Sequence, residues 1–168
     1  MSKLAIRTHT LRALSTFLLI GLIAAPATAE ELGDHHFGWF GVGTTHQVGE
    51  NHAFWVGEFS GTVFAANGSG PLHGASVACP GSNHIRDGMA KAQGICTLTD
   101  AEGDKNVIEW SCEGQLPKCE GTYRYISGTG KFAGISGENK FTGIFGVPST
   151  SGDGLSGYAV SAGAKIPR

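Results

Sequence analysis

The chain has 168 residues, the length of one domain, and its 40% hydrophobic and 15% charged residues exclude a largely disordered protein. Its formal net charge is −2, from 12 Lys and Arg against 14 Asp and Glu, and it has no basic cluster. Phosphate-backbone binding therefore has no electrostatic footprint, and nucleic acid is not an expected partner.

In chain order, residues 1–29 carry the marks of a secretory signal peptide. Lys3, Arg7 and Arg12 precede a nearly all-apolar run from Ala13 to Ala25, and Ala27-Thr28-Ala29 is a small-x-small cleavage site. The run falls short of the about 20 residues a membrane helix needs, and no second candidate follows, so no membrane span is expected in the mature chain. Cleavage after Ala29 removes three basic residues and no acid, leaving a net charge near −5. The expected destination is the periplasm or the medium.

Residues 30–36 read as a polar leader and 37–168 as a single domain. Phe37 to Gly43 is an aromatic, glycine-rich strand. His52 to Ala66 is a longer one whose alternating faces, Phe54, Val56, Glu58, Ser60, Thr62, Phe64 and Ala53, Trp55, Gly57, Phe59, Gly61, Val63, are both largely apolar. Neither is expected to face open water. Further strands are predicted at Leu72 to Cys79, Gly94 to Thr99, Asn106 to Cys112, Glu120 to Ser127, Asn139 to Phe145 and Leu155 to Ser161. Each is bounded by Gly, Asp, Asn, Pro or Ser, and no window sustains a helical period, so the fold class is all-β. The 27 glycines favour a barrel, whose strands must coil and bend at corners. The run G-T-G-K-F-A-G-I-S-G from Gly128 to Gly137 is the sharpest such corner, four glycines bracketing Phe132.

In an exported chain Cys79, Cys96, Cys112 and Cys119 read as two disulfides, with three connectivities open. Cys79 with Cys96 and Cys112 with Cys119 each close a polar loop. The competing Cys96 with Cys112 pair is disfavoured, because turning the chain about E-G-D puts Cys96 opposite roughly Trp110 and leaves Cys112 a diagonal neighbour.

Glu58 alternates with Phe54, Val56 and Phe64. If that face lines the barrel, its carboxylate is a candidate general acid or ligand contact, and the five candidate ligand-binding residues are Phe54, Val56, Glu58, Phe64 and Arg124. The structural alternative is a carboxylate bonded to backbone amides or to Arg124. Glu109 is expected on the outer face of a half-buried strand. The histidines lack a recognised metal-ligand spacing, His35 and His36 fall in the leader, and D-A-E-G-D has its glycine too early for a calcium loop, so it reads as a hairpin turn. No metal site or cofactor is expected, as there is no nucleophile elbow, Walker loop or dinucleotide fingerprint.

The order G-I-C-T-L-T-D (Gly94 to Asp100), Gly103-Asp104, Gly121-Thr122-Tyr123 and G-T-G-K-F-A-G-I-S-G resembles that of the allene oxide cyclase and dirigent-type barrels, and especially small exported bacterial proteins described as allene oxide cyclase barrel-like. The resemblance covers roughly the second half of the mature chain. It implies an eight-stranded antiparallel β-barrel with an apolar cavity, often a homotrimer. In the cyclases the cysteine matching Cys96 points to the cavity, and a carboxylate near the substrate has its counterpart in Glu58, although no matching Pro or Asn accompanies it. Three functions are compatible with these features: a binding protein for a small apolar ligand, an isomerase or cyclase acting on such a molecule, and a structural barrel with a filled interior.

Overall fold

The computed structural model describes residues 30–146 and 154–166; the expected signal peptide, residues 1–29, lies outside the described residues. Eight strands run in chain order around one closed antiparallel barrel: β1 (Glu30–Gly49), β2 (His52–Ala65), β3 (Ser76–Arg86), β4 (Met89–Thr99), β5 (Lys105–Gln115), β6 (Lys118–Gly128), β7 (Glu138–Phe145) and β8 (Leu155–Ile166). Strand β8 pairs back onto β1, so every strand has two neighbours and no sheet edge is left open. Among the described residues no helix is long and apolar enough to cross a membrane.

Two expected boundaries move. Residues 30–36 are the start of β1 rather than a separate leader, paired to β8 on one side and, from His35, to β2 on the other. The segment after Cys79 is strand rather than loop: β3 continues to Arg86 and turns through Asp87-Gly88, both at positive φ, onto Met89. Asp-Gly is the residue pair that a two-residue hairpin turn requires. Pro80 does not stop the strand. It pairs with Glu58 on β2, while the β3–β4 ladder skips from Ala78–Thr97 to Gly81–Gly94, where the missing N–H is not needed.

The glycine corner closes one end of the barrel. A single 3-10 turn, Gly130–Phe132, drops Phe132 into the core at 2% exposure, beside Leu72, Ile135 and Ile166. Only glycine fits at 128, since a Cβ there would lie 2.2 Å from the Phe132 carbonyl oxygen. The corner is tied to the β4–β5 turn: the Lys131 amide donates to Asp104 Oδ2 at 2.9 Å, and its ammonium binds Asp100 at 2.7 Å and also Glu102. The acidic trio Asp100, Glu102 and Asp104 thus serves as the seat of Lys131, which holds the Asp100 carboxyl below its ordinary range. The hairpin-turn reading of this segment holds.

Candidate functional site: the barrel interior

Alternation decides what the interior contains. On β2 the inward residues are Trp55, Phe59 and Val63, all buried, while Phe54, Val56 and Phe64 are 38%, 45% and 51% exposed on the outside. Glu58 is exposed with them. The expectation that the Glu58 face lines the barrel is therefore corrected: it is the outer wall. Arg124 is also outside, paired with Glu109 and not with Glu58. Phe54, Val56 and Arg124 do share a feature, an open external groove of about 900 Å³ that also runs past Ile95 and Glu109. Glu58 and Phe64 do not border it.

The inward side chains fall into two halves. Toward the end opposite the glycine corner, Phe59 is the hub of an aromatic cluster, with Trp55, Trp39 and Trp110 at centroid distances of 4.5, 5.0 and 6.0 Å. Phe145 and Phe141 extend it from Trp39 and Trp110. Glycines make room for these indoles: a Cβ at Gly57 would lie 2.6 Å from Trp55. Between this cluster and the corner is a cavity of about 140 Å³.

Both disulfides lie in its wall, with the expected pairing. Cys79 and Cys96 are directly opposite across β3 and β4, Cα atoms 4.0 Å apart. Cys96 faces Ile108, not Trp110 as the sequence suggested. Cys112 is opposite Gly121, so its bond to Cys119, with Cα atoms 5.6 Å apart, is a diagonal one. Diagonal placement, used above against the Cys96 with Cys112 pair, is thus no bar; what decides is that Cys79 is the directly facing partner of Cys96.

The wall is chemically two-sided. Strands β2 to β4 present Phe59, Val63, Val77, Cys79, Cys96 and Leu98. The polar members come from the other side, β5 round to β1, where Asn106, Tyr125, Tyr123, Ser161 and His35 are set among apolar residues such as Trp39, Ile108 and Phe145. Much of this polar arc is internally satisfied. Asn139 donates to the Tyr125 hydroxyl at 3.2 Å, Tyr125 bonds Tyr123, Tyr123 reaches Ser161 at 3.3 Å, and Ser161 donates to the Lys140 carbonyl at 2.8 Å. Burial pushes both tyrosines above their ordinary range, so they stay protonated at any physiological pH.

Two members are not satisfied. Asn106 is fully buried, and neither its Oδ1 nor its Nδ2 has a partner among the described residues. His35 is 7% exposed; its Nδ1 lies 3.2 Å from the Gly33 carbonyl, which can only accept, so Nδ1 carries the proton and Nε2, also unpartnered, is a bare acceptor. Burial lowers the His35 pKa, outweighing the Gly33 bond and the nearby Asp34, while His36 and His73 add to the lowering. The ring is neutral at pH 7. Protonation then favours the unfolded chain, so stability should fall as pH drops below the unfolded value of 6.5 and level off below the depressed folded value. The expected slope is at most about 1.4 kcal/mol per pH unit. Urea midpoints of the wild type and His35→Phe between pH 7.5 and 5 check this: the wild-type midpoint should fall relative to that of the variant on acidification, and a constant difference would refute a neutral buried His35.

None of these polar residues was singled out from the sequence. The signal for Asn106 was present, as the one polar member of the alternating set Asn106, Ile108, Trp110, Cys112. Tyr123 and Tyr125 alternate with the charged Arg124, which carries the more conspicuous signal in the sequence. His35 falls in the segment that the sequence presents as a polar leader. A scan of protein-family models gives no match to the chain, and a search of curated proteins gives none.

Proposed function

We propose that this is an exported barrel protein that binds a small, largely apolar molecule in its interior. The observation that carries the reading is the cavity of about 140 Å³, whose wall is mostly apolar with a few polar side chains on the β5-to-β1 side. Barrels of eight strands can be filled by side chains, and protein interiors hold few voids larger than a water molecule. A void of this size with a few polar atoms in its wall has the make-up of a ligand site. Cavities of about 150 Å³ accept benzene, so the ligand has about ten non-hydrogen atoms or fewer.

Disulfides that persist in oxidising compartments support a periplasmic or secreted location. The motif order of the second half supports kinship with the allene oxide cyclase barrel-like proteins, and with it a homotrimer. Phe40 and Val42 on β1 and Val56 on β2, each more than 40% exposed on the outer face around Glu58, are the surface we assign to contacts between copies. The isomerase alternative has lost its sequence candidates, since Glu58 is outside and Cys96 is in a disulfide.

Native mass spectrometry of the mature protein from its own host, followed by organic extraction, tests the reading and counts subunits. A stoichiometric small molecule should be present, retained in Glu58→Ala and lost in Val77→Phe, which fills the cavity. A clean apo mass that does not change on adding cavity-sized hydrocarbons would leave a filled structural barrel as the better account.

A further inference from the structure

We propose that the ligand is a neutral molecule whose apolar body carries one hydrogen-bond donor, a hydroxyl or an N–H, and that this donor is received by His35 Nε2. The inference rests on the interior-binding reading and specifies its chemistry.

Charge comes first. No Asp, Glu, Lys or Arg lines the cavity. A carboxylate, phosphate or ammonium placed there would be a buried charge without a counter-charge, which costs far more than any contact in the cavity returns. Anionic and cationic ligands are excluded on that ground.

Polarity comes next. Tyr123, Tyr125 and Ser161 spend their hydrogen-bonding capacity on one another, on Asn139 and on the Lys140 carbonyl. The indole N–H of Trp110 also has no partner, but it lies against Gly94, where a Cβ would be 3.0 Å from Nε1. Apart from Trp110, the unspent groups of the cavity-lining residues are His35 Nε2, a pure acceptor, and the whole amide of Asn106. They stand on β1 and β5, four strands apart in an eight-stranded barrel and so on opposite walls. Each is near the start of its strand, and odd-numbered strands start at the same end, so both belong to the half nearer the glycine corner.

A pure hydrocarbon would leave all three atoms unpaired, and a ligand with only acceptors would leave Nε2 unpaired. A donor satisfies Nε2, and any second polar group across the ring meets Asn106, which offers both donor and acceptor. The apolar wall of β2 to β4 takes the hydrocarbon face. Because a site built to bond a donor rejects the isostere that lacks it, discrimination should be large for so small a molecule.

Isothermal titration of the mature wild-type protein with matched probes reads this directly. Indole against indene, and cyclohexanol against methylcyclohexane, differ in the donor and little in shape. The donor-bearing member of each pair should bind at least about tenfold tighter, benzoate should not bind, and His35→Phe should abolish the discrimination while indene and methylcyclohexane still bind. Equal affinity within both pairs would overturn the donor assignment and leave the cavity reading intact. No binding of any probe would overturn the cavity reading itself. The wild-type comparison decides the matter even where His35→Phe fails to fold.

Discussion

Phe132→Ala is expected to cost about 3–5 kcal/mol, the range for truncating a fully buried aromatic. Phe132 is 2% exposed and belongs to the main core cluster; its amide donates to the Thr129 carbonyl, the preceding Lys131 amide is held by Asp104, and its own carbonyl fits tightly against Gly128. The corner therefore cannot simply follow the shortened side chain inward, which places the expectation at the upper part of the range. Phe64→Ala is the control, because Phe64 is 51% exposed and should change stability by no more than about 0.5 kcal/mol. Urea unfolding monitored by tryptophan fluorescence measures both, read as a shift of midpoint at unchanged slope. A Phe132→Ala loss below about 1 kcal/mol would mean that the corner is a surface loop and that this end of the barrel is sealed by something else.

The same corner shows what the sequence makes legible. Glycines spaced around one aromatic state a steric requirement, and the structure meets it at Gly128 and at the positive-φ positions Gly130, Gly134 and Gly137. All eight strands were legible for a related reason, since turn residues recur between them. Orientation was not. When both faces of β2 are apolar, alternation says that two faces exist but not which is inside. Glycine held the missing information: Gly57 lies on the Trp55 face, where a Cβ would collide with the indole, whereas the Phe54 face of β2 carries no glycine. A polar residue in an apolar alternation was read as functional at Glu58, where it only marks the wet side. At Asn106 the same pattern marks the cavity, and nothing local separates the two cases. His35 was obscured because burial in β1 depends on pairing with β8, more than a hundred residues away.

The Cys79 to Cys96 disulfide should contribute about 3 kcal/mol, the loop-entropy value for a bridge between residues 17 apart. By the same relation the Cys112 to Cys119 bridge, between residues 7 apart, contributes about 2.5 kcal/mol. Cys79→Ala with Cys96→Ala should therefore be the more damaging double substitution. Both sulfurs are buried, so dithiothreitol should reduce this bond in the native protein no faster than the barrel opens. The size of the term gives it meaning. At about 24 cal/mol per Å³, a closed and empty hollow of about 140 Å³ would cost about 3 kcal/mol relative to a packed interior, so one bridge is comparable in size to the upper bound for the hollow it borders. It follows that the double alanine variant should recover stability when the cavity is filled, either by Val77→Phe or by saturating ligand, whose stabilisation grows as RT ln(1 + [L]/Kd). Thermal and urea unfolding of the four combinations, with and without indole, measures this. Recovery in the alanine background that exceeds the same change in the disulfide-bonded protein would show that bridge and cavity are coupled, and strictly additive effects would show that the two terms match in size without being linked.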